Sequence, residues 1–332
     1  LADVFQKNAG IAPLWTGIGL AIVTFLVIIG GIRAIATVAE KIVPLMAVLY
    51  VVGALTILLF NIADVPGAFA IIFTDAFTGT AATGGFAGAA VMMAIRFGVA
   101  RGIFSNEAGL GSAAIAHAAA RTNDPVRQGT VAMLGTFIDT IVICTMTALV
   151  ILTVDVNIPV KLVEKTGPDI NGAVVQQWVC PTADERTAIA AGTLAAREFT
   201  AQKIWQGCDN GATVTSTAFA NGIPYGEWIV TFGLIFFAFT TILGWSFYGE
   251  RAAEFLFGVR VIMPYRLIWV LLLIVGATQP LDIIWIFADI CNALMAVPNL
   301  IALLLLSGTV FALSKGADLR LKSEEKAAKS AT

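Results

Sequence analysis

The chain has 332 residues, of which 58% are hydrophobic and only 13% charged, with a mean hydropathy of +0.87. A soluble domain carries nearly twice that share of charge, so composition excludes an ordinary water-soluble enzyme and points to the bilayer. The net charge of −2 offers no basic field for nucleic acid, and hydropathy decides the class.

In chain order, residues 1–12 are polar enough for a loop or a helix end, and 13–31 form the first apolar run of membrane-crossing length. Arg33, Glu40 and Lys41 read as a short charged link before a second span over 43–61. Next comes the oddest stretch, 66–96. Its two apolar halves flank the run Gly79-Thr80-Ala81-Ala82-Thr83-Gly84-Gly85. Lipid cannot satisfy free backbone N–H and C=O groups, so a break at that depth must line a cavity or hold a ligand. A polar link follows over 96–128, then a span over 130–153 that carries Asp139.

From 155 to 225 the composition turns polar, which predicts a water-exposed loop or small subdomain with a helix over 188–205. Apolar runs return at 228–247, 267–277 and 281–297. After Pro298 a last apolar run reaches 313, and a polar tail closes the chain over 315–332. The resulting domains are membrane helices over 1–154, the polar insert, and membrane helices over 226–314. Lys and Arg cluster on alternate links at Arg33 and Lys41, at Arg96 to Arg127, and at Arg251, Arg260 and Arg266. The positive-inside rule makes those links cytoplasmic and the 155–225 insert extracytoplasmic. Strict alternation then leaves the Lys-rich tail outside, unless 281–313 is one kinked crossing.

Cys144 and Cys291 fall in apolar runs, where a thiol behaves as a small buried hydrophobe. Cys180 and Cys208 share the outer insert and are expected to form a disulfide. The single histidine, His117, has no companion ligand at metal spacing, and neither a metal centre nor a cofactor is expected.

The break at 79–85 is the first candidate site. Discontinuous helices place an N-terminal half-helix end where it can hold an anionic group, and unwound carbonyls where they can hold a cation. Thr80 and Thr83 add hydroxyls, and Gly84 and Gly85 allow close approach. Close helix packing is the plainer use of the same small residues. Thr240 and Thr241 form the second candidate, a pair of hard oxygens suited to Na⁺, with Trp245 one turn beyond Thr241 on the same face. Bonding to their own helix carbonyls is the plainer alternative. Asp75, Asp139 and Asp289 lie in apolar segments, where an acid is a functional candidate by default. The link at 101–112 carries Arg101, Ser105, Asn106, Glu107, Gly109 and Gly111, and can gate, anchor or merely connect.

Two imitations in that link fail on context. Gly109-Leu-Gly111-Ser-Ala-Ala copies a nucleotide-binding glycine pattern with no preceding strand. Ser105 or Ser112 with His117 and Glu107 copies a hydrolase set with no strand–turn–helix elbow, and the chain is not expected to be an enzyme.

The runs GGFAGA (84–89), GVARGIFSNEAGLGSAAIAHAAA (98–120), TTILGWSFYGERA (240–252) and NALMAVPNLIALLLLSG (292–308) closely resemble the alanine or glycine:cation symporters, also called sodium:alanine symporters. The resemblance covers nearly all the membrane portion but not 155–225. It implies an all-α integral membrane protein of the five-plus-five inverted-repeat type, multi-pass in a bacterial inner membrane. It also implies Na⁺-coupled uptake of alanine or glycine by alternating access. Residues 66–96 then stand where the family has its second broken helix. Thr240 and Thr241 stand where a helix gives two hydroxyls to Na⁺, and Trp245 where the amino acid is lined. The family's first broken helix and two more core helices have no counterpart here, so a fragment lacking them is expected. A truncated product that transports nothing and an ion channel are the alternative functions.

Overall fold

The computed structural model describes residues 1–78, 98–100, 102–168, 174–179, 185, 188–189, 191–203, 212–279 and 281–331. The membrane-length elements are all helical. Among the described residues, five helices are long and apolar enough to cross a membrane: Gly31–Phe60, Pro125–Thr153, Gly226–Phe257, Val259–Thr278 and Ile284–Ala317. The chain groups into two compact units. One holds 1–19, 36–95 and 145–241, and the other holds 20–35, 96–144 and 242–332.

Residues 1–12 are more ordered than a helix end. They form α1 (Ala2–Ala9), closed by Gly10 at φ 67°, whose N–H reaches back to the last turn. Helix α2 (Pro13–Ile28) is followed by Gly31 at φ 66° and then by α3 (Gly31–Phe60). The expected link at Arg33, Glu40 and Lys41 is therefore helical. Neither charge nor Pro44 ends the helix, because neither removes enough backbone bonding to offset the apolar face beyond it. Helix α4 (Val65–Thr78) is the first half of the expected broken segment, and the break itself lies outside the described residues. The short α5 (Ser112–His117) leads to α6 (Pro125–Thr153), which starts where Asp124 accepts from the N–H groups of Val126 and Arg127 at 3.0 and 3.2 Å. Pro at the first helical position and Asp at the cap place this start five residues before the expected span. Inside α6 the segment Ile138–Cys144 is π-helical.

The first unit is held by an apolar core of α3, α4, the end of α6, α7 (Ala212–Gly222) and the first half of α8 (Gly226–Phe257). Ala54, Ile57, Val150, Ala218 and Phe219 are fully buried there, and Phe219 stacks on Tyr50 at 5.3 Å. Gly222 permits the approach of α7 to α3, since a Cβ in its place would stand 2.9 Å from Ile57. Polar bonds add direction to this packing. The Asn8 amide donates to Ser216 Oγ at 3.0 Å and to Thr231 Oγ1 at 2.8 Å, tying α1 to α7 and α8. Tyr50 and Thr147 share a hydrogen bond of 2.5 Å.

The polar insert belongs to the same unit and carries a three-stranded antiparallel sheet in the order β2-β1-β3. Strand β1 (Asp155–Pro168) pairs with β3 (Arg197–Lys203) up to Leu162↔Arg197, then with β2 (Val174–Val179) from Val163↔Val179. Over 155–162 only β3 flanks it among the described residues, a setting in which a strand tolerates Pro159. Of the helix expected over 188–205, only 188–189 are helical among the described residues. Residues 191–194 turn through Gly192 at φ 72°, and 197–203 take the edge of β1 instead. The alanines there favour helix locally, but β1 offers an open ladder that the segment completes. Cys180 and Cys208, with their expected disulfide, lie outside the described residues.

In the second unit, α8 runs on through Glu250 and Arg251 to Phe257, ten residues past the expected end, and stops where Gly258 takes φ 78°. Helix α9 (Ile262–Thr278) follows, then α10 (Leu281–Ala331), one continuous helix with Pro298 inside it. The two apolar runs on either side of Pro298 are therefore one element. Cys144 is exposed and Cys291 half-buried, so the expected burial of these thiols is corrected: neither is fully buried.

Candidate functional site

The best-defined polar constellation lies in the second unit, around the link at 102–112. A helical turn over 102–106 ends in a sharply folded backbone. Glu107 takes φ 55°, Gly109 φ 87° and Gly111 φ 83°. A left-handed conformation is costly for Glu and free for Gly, so the two glycines let the chain turn while Glu107 stores strain. Gly111 is fixed by space as well, since a Cβ there would meet Asn299 Oδ1 at 2.9 Å.

Three elements hold this fold. On α6, Asp139 Oδ2 accepts from Ser105 Oγ at 2.7 Å and from Thr140 Oγ1 at 3.3 Å. The Asn106 amide donates to Thr140 Oγ1 at 2.9 Å, while its carbonyl oxygen accepts from the Ala108 N–H. These contacts fall in the first turn of the π-helical segment, where the wider backbone re-aims side chains. On α10, the Asn299 amide donates to the Gly109 carbonyl at 3.0 Å, immediately after Pro298. On α8, the Tyr248 hydroxyl donates to Glu107, which also accepts from Ser112 Oγ at 2.9 Å. Burial pushes the Glu107 carboxyl above its ordinary value, against the lowering effect of those two hydrogen bonds. Ser112 is almost fully buried, as is Leu110 beside it.

Sequence reasoning named Asp139, Ser105, Asn106, Glu107, Gly109 and Gly111 without a partner for any. The structure joins them through the contacts above. It adds Phe104, Tyr248 and Asn299, which the sequence did not single out. His117 meets Gln128 through Nδ1 at 2.6 Å, while Ser105 and Ser112 are bonded to acids, so the hydrolase imitation has no geometry behind it. Arg101 lies outside the described residues.

The Thr240–Thr241 pair lies midway along α8. Thr240 Oγ1 donates to the carbonyls of Phe236 at 2.9 Å and Phe237 at 3.1 Å, the plainer of the two uses foreseen. A hydroxyl that gives its proton to a carbonyl keeps its lone pairs, so this bond is compatible with holding a cation. Thr240, Thr241 and Trp245 are all partly buried, and Trp245 lies against Phe104. Thr80, Thr83, Gly84 and Gly85 lie outside the described residues. Asp75 falls on α4, and Asp289, which has interactions of its own, on α10.

Further along α8, Glu250 is buried and accepts from Arg266 twice, at 2.6 and 3.1 Å, and from Arg251 at 2.7 Å. Arg266 also donates to the Ile29 carbonyl at 3.3 Å, just beyond α2.

Comparison with known proteins places the chain. The model of the sodium:alanine symporter family matches residues 1–331. An uncharacterized transporter of Haemophilus influenzae is 44% identical over 324 residues, 97% of this chain and 61% of that protein. The sodium/alanine symporter AgcS of Methanococcus maripaludis is 42% identical over 98% of this chain and 61% of its own length. A sodium/proton-dependent alanine carrier protein of Bacillus sp. (strain PS3) is 32% identical over 97% of this chain and 65% of its own. The chain thus spans about three fifths of the length of these relatives. A match over essentially every residue, together with five membrane-length apolar helices among the described residues, marks a multi-pass membrane protein, and the chain belongs to the sodium:alanine symporter family.

Proposed function

We propose that the protein carries out sodium-coupled symport of a small neutral amino acid, alanine or glycine, by alternating access in a bacterial inner membrane. The observation that carries this is the face of α8. Thr240 has spent its proton on its own helix and keeps oxygen lone pairs for a hard cation, and Trp245 stands one turn past Thr241. The relatives named for sodium and alanine agree with it.

In this proposal Thr240 and Thr241 give hydroxyl oxygens to Na⁺, and unwound carbonyls of the 79–85 run complete the shell. The zwitterion sets its carboxylate at a half-helix N-terminus, near Thr80, Thr83, Gly84 and Gly85, and its ammonium toward carbonyls. Trp245 forms the wall beside its side chain. A neutral zwitterion needs no titrating residue in such a pocket. The driving force suffices: one Na⁺ entering gains about 2.3 kcal/mol per 100 mV, and a tenfold gradient adds roughly 1.4 kcal/mol. Together they concentrate substrate roughly a few hundredfold.

The test is uptake of labelled alanine by the full-length protein in proteoliposomes. Thr241→Ala is expected to raise the half-saturating Na⁺ concentration by about tenfold, the worth of one good ligand. Sodium dependence unchanged in that variant overturns the assignment. Uptake that survives a sodium ionophore would instead mark a channel.

A further inference from the structure

Trp245 is gripped from two directions by one segment. The Phe104 ring lies over its indole with centroids 6.3 Å apart and planes 17° apart. Trp285 of α10 meets the same Phe104 edge-on at 5.4 Å and 78°, backing it from another side. Tyr248, one turn beyond Trp245 on α8, meets the indole edge-on at 5.8 Å, and its hydroxyl is held by Glu107. Phe104 and Glu107 are three residues apart on a link fastened to Asp139 and Thr140 through the side chains of Ser105 and Asn106, and to Asn299 through the Gly109 carbonyl. The link therefore sets both flanks of the indole. Stacked and edge-on pairs of this kind restrict the rotamer of the ring they enclose, since any swing of the indole loses both contacts.

We propose that Phe104 is a positioning residue: it fixes where the Trp245 indole stands and thereby the size of amino acid admitted. This rests on Trp245 lining the substrate pocket. With Phe104 in place the indole is a rigid wall close to a small side chain. Without its ring the indole can retreat, which weakens the fit to alanine and removes the steric exclusion of something larger. Selectivity between substrates is a difference of two fits, so both terms move in the same direction.

The experiment measures K0.5 and Vmax for alanine and for glutamine in proteoliposomes of the full-length protein under a sodium gradient. Phe104→Leu is expected to raise K0.5 for alanine roughly three- to tenfold, and to raise the glutamine-to-alanine ratio of Vmax/K0.5 by about as much. Phe104→Tyr, which keeps the ring, restores both. If Phe104→Leu is not produced in the membrane, Phe104→Met applies the same test with a residue that fills space. A uniform fall in Vmax for both amino acids, with the ratio unchanged, would show a merely structural ring and overturn the proposal. Trp245→Phe, measured alongside, separates the two levels. If it shifts the ratio and Phe104→Leu does not, the pocket stands and the role of Phe104 falls. If neither shifts it, both fall.

Discussion

Glu107 combines a backbone at φ 55° with a carboxyl that burial pushes upward and that Ser112 and Tyr248 hold in place. A carboxyl whose value is raised in the folded state binds more protons there than in the unfolded chain, between the ordinary value and the raised one. Its contribution to stability is therefore highest below that window and falls as pH rises through it. Glu107→Gln keeps an acceptor for Tyr248 and removes the charge. It is expected to match the parent at pH 4, below that window, and to exceed it at pH 8 in the unfolding midpoint of the detergent-solubilised protein. Glu107→Ala is expected to lose stability at both, since it leaves the Ser112 hydroxyl without its acceptor in a buried site. A Gln variant that falls with pH as steeply as the parent would contradict the assignment. Most of the residues in this cluster were legible in the sequence as polar oddities in an apolar chain. Their pairing was not, because Ser105 and Asp139 meet across 34 positions and only packing brings them together. Phe104 was invisible for a plainer reason: a lone aromatic ring in a polar link looks the same in sequence whether it faces solvent or a tryptophan.

At the scale of the element, helix ends were the least legible feature. Charged residues were read as links, yet α3 runs through Arg33, Glu40 and Lys41, and α8 runs through Glu250, Arg251 and Glu254. The ends fall instead at Gly10, Gly31 and Gly258, where the backbone turns left-handed or beyond it. The continuation of α8 is possible because its charges are answered: Glu250 is bonded by Arg266 and Arg251, and Arg251 pairs with Glu254. The Glu250–Arg266 pair is nearly buried, with side chains 9% and 13% exposed. Removing one partner of such a pair costs about 3–5 kcal/mol, because the other charge stays behind. Glu250→Ala should therefore lower the unfolding midpoint far more than Glu254→Ala, whose partner Arg251 is more exposed and whose pair is worth about 0–1 kcal/mol. Equal losses from the two substitutions would argue against it. The insert gives the opposite lesson. Its alanine-rich stretch favours helix locally, and the sheet edge that overrides this is made by residues about 40 positions earlier.

At the scale of the whole molecule, the continuity of α10 bears on orientation. Ala331 is 50 residues from Leu281 along one helix, a rise of about 75 Å against a hydrocarbon core of about 30 Å. If the link bearing Arg251, Arg260 and Arg266 is cytoplasmic, α9 leads outward and α10, crossing once, brings the Lys-rich tail back to the same side. The difficulty that strict alternation made for the tail then disappears. A cysteine placed by Ser323→Cys in protein freed of its native cysteines should react with a membrane-impermeant maleimide in inside-out vesicles and stay unmodified in intact cells. Labelling in intact cells would mean two crossings. The apolar faces left open in the second unit, on α9 and α10 above all, suit a lipid environment.

The amide of Asn8 has a consequence for how the molecule is made. Its two acceptors, Ser216 and Thr231, lie 208 and 223 residues later in the chain. At synthesis rates of about 5–20 residues per second, α1 waits on the order of 10–45 s before the groups that receive it have been translated. Until then the helix that begins this unit has an amide with no native acceptor, and assembly cannot finish in the order of synthesis. The early helices must be held open at the insertion site and closed last, by a helix that arrives long after them.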